Sequence, residues 1–240
     1  MKVDQAQNKG TLYLIPNVLS ENTQDKVIAP QVRNILLQVD YLLVENVRTV
    51  RRYISSLKID KAIDTFHFEI ADKNLDMFRA KELMEPILNG KDGGIISEAG
   101  CPGIADPGSM LVLYAHQHHI KVVPVVGPSS IFLALMASGF NGQKFTFHGY
   151  LPIDKQQRVQ QIKILEKQAS TSGETQIFME TPYRNNQLFQ DIINHCKNNT
   201  RLSVSKDLTG ENEWVKTMTI AEWKKQVPDL NKQPCIYLIS

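Results

Sequence analysis

The densest chemistry in this 240-residue chain lies in the run Ser97-Glu98-Ala99-Gly100-Cys101-Pro102-Gly103-Ile104-Ala105-Asp106-Pro107-Gly108. It follows an apolar run that reads as a buried strand and leads into a helical pattern. Ligands of open α/β sheets bind at that place, beyond the carboxyl ends of the strands. Three glycines allow left-handed turns and close approach to the backbone, while two prolines stiffen the loop. A long structural turn is the alternative. The run is neither a GxGxxG followed by an acidic residue about twenty positions on nor a GxxxxGK[ST] phosphate loop. It holds no Lys or Arg, so it suits a zwitterionic or neutral ligand better than a polyphosphate.

Other residues offer further chemistry. Ser129 and Ser130 open an apolar helix, where hydroxyls and free N–H groups can meet a carboxylate. Glu45 is a candidate base for a poor nucleophile such as a ribose hydroxyl, with Arg48 holding that carboxylate or touching a phosphate. Equally, Glu45 and Arg48 form a surface pair at a strand-to-helix junction. Arg48, Arg51 and Arg52 stand at the start of one helix and read either as a phosphate-tracking patch or as a solvated face. Glu180 and Arg184 can brace one another across a first helical turn or meet substrate. Cys101 could act as a nucleophile or merely line a site. His116, His118 and His119 end a helix, where the dipole favours them, and lack a carboxylate or cysteine at ligand spacing; no metal is expected.

The elements that must position these groups alternate. Strands are expected at 11–15, 41–44, 66–70, 94–97 and 121–126, with helices at 27–39, 49–57, 76–89 and 109–119. The runs GIIS and KVVPVV are apolar without alternation, which implies a sheet covered on both faces. The pattern restarts with a helix at 129–138, strand 145–148, helix 156–168, strand 175–179, helix 183–197 and strand 201–205. A strand at 214–218, a short helix at 220–227 and a strand at 236–239 follow. The crowding near the end implies a mixed sheet. The expected class is therefore α/β in two domains, 1–125 with a mostly parallel sheet and 126–240 with a mixed one, joined near Pro124–Pro128.

Hydrophobic residues at 42% and charged residues at 22% describe a globular chain, and a net charge of +2 argues against a bulk polycation. Cys101, Cys196 and Cys235 form no CxxC, the longest apolar runs are too short to cross a bilayer, and the first ten residues carry no apolar signal core. A soluble protein of a reducing cytoplasm, without a membrane partner, is expected.

Five blocks in one order, SEAGCPGIADPG, VVPVVGPSSIFLALMASG, FTFHGYLP, IFMETPYR and SVSKDLTGENE, resemble the tetrapyrrole-methylase superfamily of S-adenosylmethionine-dependent methyltransferases. The likeness spans about residues 10 to 220. It is nearest to the bacterial branch that 2′-O-methylates a cytidine of small-subunit ribosomal RNA, whose pattern runs S-D-A-G-T-P-x-I-S-D-P-G, P-G-P-S-A, F-x-G-F-L-P, E-S-P-x-R and E-L-T-K. The resemblance implies two α/β domains with folded S-adenosylmethionine in the cleft between them. It places cofactor contacts at Gly100, Cys101, Pro102 and Ile104, at Ser130 and Ile131, at Met179 and Ser205, and at Cys235 as a further candidate. Cys101 is then a cofactor-lining residue. It further implies ribosomal RNA or the small subunit as partner, and a homodimer.

This chain departs from the pattern in places. Ile15-Pro16-Asn17-Val18-Leu19-Ser20 replaces T-P-x-G-N-L without its glycine, and Glu45-Asn46-Val47-Arg48 replaces E-D-T-R. Glu98 and Cys101 stand where Asp and Thr are usual, and the sequence stops at Ser240, short of the relative's C-terminal extension. The cofactor side is kept in outline and the substrate side differs. Methylation of a tetrapyrrole or other small molecule, or cofactor binding without turnover, are the alternatives. In-line methyl transfer from a sulfonium needs alignment above all, worth roughly 7–11 kcal/mol in the best intramolecular cases.

Overall fold

The computed structural model describes residues 8–72 and 74–240. The described residues form two compact units, divided between Pro128 and Ser129.

In the first unit, β1 (Thr11–Ile15), α1 (Gln24–Val27), α2 (Pro30–Gln38), β2 (Tyr41–Val44) and α3 (Val47–Ser56) are followed by β3 (His67–Ile70), α4 (Met77–Leu88), β4 (Gly93–Ile96), α5 (Ser109–Gln117) and β5 (Lys121–Pro124). The strands run in the order β3-β2-β4-β1-β5, and every pairing is parallel. All the strands therefore send their carboxyl ends to one edge, where the loop after β4 emerges. Apolar side chains of β1, β2 and β4 meet α2 and α3 in one cluster and α4 and α5 in another.

Two expectations need correction here. The helix expected over 27–39 is broken: Ala29 is extended (φ −62°, ψ 144°) and α2 begins at Pro30. A residue before proline is driven out of the helical region, and proline suits a first helical position. The run KVVPVV is also not covered on both faces. β5 is the edge strand, with Lys121 and Pro124 exposed, and Val126 beyond it is 75% exposed. Pro124 lacks the N–H that an inner strand would need. The other run, at β4, is central and buried throughout.

In the second unit, α6 (Ser130–Ser138), β6 (Phe145–Tyr150), α7 (Lys155–Ser172), β7 (Thr175–Glu180) and α8 (Asn185–His195) precede β8 (Arg201–Lys206), β9 (Trp214–Thr219), α9 (Ile220–Trp223) and β10 (Cys235–Ile239). The order β6-β7-β10-β8-β9 is mixed: β6 and β7 are parallel, the rest antiparallel. Pro182–Arg184 forms a single 3-10 turn, so α8 starts later than the helix expected at Tyr183.

The two faces of this sheet divide its labour. Phe178, Val204, Cys235 and Tyr237 enter a core with α7, α8 and α9. Within it Arg158, 1% exposed, donates Nε and Nη2 to Asp191 Oδ2 at 2.8 and 2.6 Å, and Nη1 to the Ile153 carbonyl at 2.7 Å. Removing one partner strands a buried charge. Arg158→Ala is therefore expected to destabilise the protein by about 3–5 kcal/mol in equilibrium denaturation, and pairing Arg158→Met with Asp191→Leu should recover most of that loss.

Candidate active site

The loop from Ser97 to Gly108 holds four left-handed residues: Gly100 (φ 66°), Gly103 (78°), Ala105 (62°) and Gly108 (123°). Three are glycines, which is the conformational reason for their spacing; Ala105 bears the strain without that freedom. Asn17 pins the start of the loop. Its side chain, 2% exposed, donates Nδ2 to the carbonyls of Ser97 (3.0 Å) and Glu98 (2.9 Å), while Oδ1 accepts from Val18 N (2.8 Å). The Asn17 amide also donates to the Gly100 carbonyl at 2.9 Å. Gly127 lies so close that a Cβ there would stand 2.1 Å from Pro16 Cβ. Val18, which occupies the usual glycine position, is not left-handed, so the lost glycine leaves no strain there.

Within the loop, Pro102 is buried and Ile104 exposed, offering an apolar surface. Cys101 Sγ lies 3.4 Å from the Pro128 carbonyl, and burial pushes its thiol upward. A thiol held protonated is a poor nucleophile. The hydrolase-like reading of Cys101 therefore loses its footing, and a lining role remains.

Glu45 and Arg48 do not pair, as an ion pair or otherwise, among the described residues. The reason is local. Asn46 between them is extended (φ −141°, ψ 110°) and caps α3, its side chain accepting from Thr49 N. Three-residue spacing brings side chains together only on a continuous helix, and Glu45 lies before this one begins. Asn46 supplies here the helix cap that the usual aspartate would also supply, because the two residues cap equally well. Arg48 is exposed. Arg51 and Arg52 are committed to surface pairs with Asp64 (2.7 Å) and Glu21 (3.2 Å), so two of the three guanidiniums of the expected patch are already partnered.

Glu45 instead faces the loop. Its carboxyl is raised above its ordinary value by burial first, then by the charge of Asp106, with smaller contributions from Glu98 and Asp72; the Glu98 backbone amide opposes the shift. Asp106 is pushed up to about 6, chiefly by burial and then by Glu98. Sequence reasoning passed over Asp106 because Asp-Pro-Gly reads as turn chemistry; a carboxylate closing a loop beyond buried strands was the available signal.

The sign of the pH effect follows. A carboxyl with a raised folded pKa favours the fold while protonated, and that contribution fades as pH rises from about 4 to about 6. Asp106→Asn is expected to raise Tm at pH 8 and to leave it unchanged below pH 4. A Tm gain of equal size at both pH values would contradict this.

In the second unit, register alone aligns the candidate contacts. Met179 pairs with Ile236, and Ile236 with Ser205, so the three side chains share one face near the carboxyl ends of β7 and β8. α6 lies against β8, β9 and β10, tied by Thr217 Oγ1 donating to the Ser138 carbonyl at 2.9 Å. Thr217 pairs with Ser203, two residues from Ser205, so α6 covers the Met179–Ser205 face. Ser130 and Ile131 open α6, and Ser129 at its N-cap makes no side-chain capping bond.

Ser205 is fully buried, yet its hydroxyl has no hydrogen-bond partner among the described residues. Buried hydroxyls are normally satisfied. An unmet hydroxyl beside Met179 and Ile236 fits an apolar, hydrogen-bonding ligand such as the adenosyl group. Cys235 is corrected. The alternation of β10 turns it into the core, and Ile236 stands instead on the row with Met179 and Ser205. Glu180 and Arg184 do brace each other: Arg184 Nη2 donates to Glu180 Oε1 at 2.5 Å.

The family model for tetrapyrrole (corrin/porphyrin) methylases matches residues 26–224. The chain belongs to that family. It is accordingly a methyltransferase with S-adenosylmethionine as its methyl donor. Among curated relatives of this methylase, ribosomal RNA small subunit methyltransferase I of Vibrio cholerae is 30% identical over 211 residues, 88% of this chain and 69% of that one. The protein of the same name from Halalkalibacterium halodurans is 31% identical over 205 residues, 85% and 66% of the two chains. That from Buchnera aphidicola subsp. Baizongia pistaciae is 30% identical over 243 residues, 100% and 79%. The crystal structure of the methyltransferase CobJ shares the fold, with a TM-score of 0.65 at 13% identity over 96% of this methylase and 94% of that chain.

Proposed function

We propose that this methylase transfers a methyl group to a ribose 2′-hydroxyl of ribosomal RNA in the small subunit. The acceptor class is supported by the shared name of the curated relatives. The observation that carries the chemistry is Glu45: a half-buried carboxylate of raised proton affinity, facing the Gly-rich loop.

When bound, S-adenosylmethionine would supply an electrophilic sulfonium methyl to the in-line acceptor oxygen, with S-adenosylhomocysteine leaving as the neutral thioether. The chain's residues do the rest. Gly100, Cys101, Pro102 and Ile104 offer backbone and apolar surface to the donor. Ser130 and Ile131 offer the start of α6, and Met179 and Ser205 the covered face of the second sheet. Glu45 accepts the proton of the attacking hydroxyl, a role that favours a pKa raised toward the working pH. Exposed Arg48 is left to meet a phosphate of the RNA.

The test is transfer of labelled methyl to small ribosomal subunits or their RNA, followed by alkaline hydrolysis. A 2′-O-methyl group blocks cleavage at its own nucleotide, so one protected site is expected. Label that enters only a base, or a tetrapyrrole and no RNA, would overturn the reading. A homodimer working in the cytoplasm belongs to the same proposal, and sedimentation at micromolar concentration checks the first part. Among the described residues no helix is long and apolar enough to cross a membrane.

A further inference from the structure

Two neighbouring turns at the carboxyl edge of the second sheet carry exposed apolar side chains. The strands β6 and β7 are parallel, with Tyr150 in register with Met179, so the turns that follow them leave the same edge. Adjacent strands lie about 4.8 Å apart. After β7, the 3-10 turn Pro182–Arg184 contains Tyr183, which is 76% exposed. Tyr150 at the end of β6 is 55% exposed, and Ile153 beyond it 74%.

Each turn is fixed by a buried charge pair. The Glu180 carboxylate, on a residue 4% exposed, accepts from Thr181 N at 2.6 Å and from Arg184 Nη2. Both ends of the Tyr183 turn are therefore tied to one side chain. The Pro182 carbonyl also accepts from Lys232 N at 2.9 Å. At the other turn, Arg158 is held by Asp191 and donates to the Ile153 carbonyl. Single exposed apolar residues are ordinary, but three on one sheet edge, on turns that cannot withdraw them, mark a binding surface. A tyrosine held in this way loses little freedom on contact.

Location and chemistry select the occupant. The same edge bears Met179 and Ser205, so the surface borders the row assigned to the donor. Aromatic rings match the flat face of a base. Exposed Lys232, tied to the Tyr183 turn through its own amide, suits the phosphate that a base carries. A base presents its face only where it is unpaired. We propose that Tyr183 stacks on an unpaired base of the RNA, with Tyr150 and Ile153 extending the apolar surface and Lys232 meeting a phosphate of the same strand. The base is a neighbour of the methylated nucleotide, and its capture rests on the RNA reading above.

The experiment compares the full chain with Tyr183→Ala and Tyr183→Phe in steady-state methylation of small ribosomal subunits or their RNA, whichever accepts the label, alongside calorimetry with S-adenosylhomocysteine. Tyr183→Ala is expected to raise KM for the acceptor about tenfold, the scale of one lost base stack, with kcat and S-adenosylhomocysteine affinity within twofold. Tyr183→Phe keeps the ring and should keep the original KM. In Tyr183→Trp, a short single-stranded oligoribonucleotide should quench fluorescence beyond the background of Trp214 and Trp223 in the unsubstituted chain, and the matching duplex should not. If the unsubstituted chain methylates RNA while Tyr183→Ala keeps its KM, the stacking surface is refuted and the RNA reading stands. Equal quenching by the duplex would exclude an unpaired base. A raised KM on subunits without quenching by the single strand would give the surface to a ribosomal protein instead. If the unsubstituted chain methylates no RNA, the RNA reading fails and takes this one with it.

Discussion

Glu45→Gln should lower kcat for methyl transfer by about 10²–10⁴, the usual worth of a positioned general base, with S-adenosylhomocysteine affinity unchanged. The substitution keeps size and removes only proton affinity. Glu45 must be ionised to accept a proton, and burial first, then the charge of Asp106 with smaller contributions from Glu98 and Asp72, holds its pKa above the ordinary 4.5. Activity of the unsubstituted enzyme should therefore rise with pH through that raised value, and the Gln variant should be flat over the same range. A variant that retains full kcat would remove Glu45 from the chemistry and leave the acceptor deprotonated by other means. Loss of cofactor affinity with kcat intact would instead make Glu45 a brace for the loop.

Asn17→Ala should be the most damaging change to the cofactor side. The Asn17 side chain satisfies the Ser97 and Glu98 carbonyls and the Val18 amide from a buried position. At about 1 kcal/mol per net bond, with extra cost for partners left unmet, the loss is about 3 kcal/mol. That corresponds to roughly 10 °C in Tm for a unit of this size. Because these bonds hold the beginning of the loop, S-adenosylhomocysteine affinity should fall more than tenfold in the same protein. Asn17→Asp is expected to be no better, since a carboxylate would face two carbonyl oxygens. Differential scanning calorimetry and titration calorimetry on the two variants check both effects. A variant that melts normally would mean the loop is held by its own turns.

Much of this could be read from residue order. The alternation of apolar runs and helical patterns marked each strand of the described residues to within about three residues at either end, because buried β-branched runs have few other uses. The Gly-rich loop announced itself by glycines that turned out to need left-handed geometry at positions 100, 103 and 108. What could not be read depends on contacts distant in sequence. Asn17 reaches its partners across some eighty positions, and Asp106 acquires its raised pKa from burial and from Glu98. The reading of Glu45 and Arg48 as a pair at a strand-to-helix junction failed because the extended cap Asn46 stands between them. The resemblance misplaced Cys235, where one position along a strand decides which face a side chain takes. Edge or centre was equally hidden in KVVPVV; only the strand order made it an edge.

The central proposal is that the donor is contacted by residues of the Ser97–Gly108 loop and by Ser130, Ile131, Met179 and Ser205. Hydrogen–deuterium exchange with and without saturating S-adenosylhomocysteine reads this segment by segment. Slowed exchange is expected at 98–105, at 127–132 and at the ends of β7 and β8 around Met179 and Ser205, with the α7–α8 side of the second unit unaffected. Tight binding that leaves all of those segments exchanging at their free rates, while protecting others, would contradict the account.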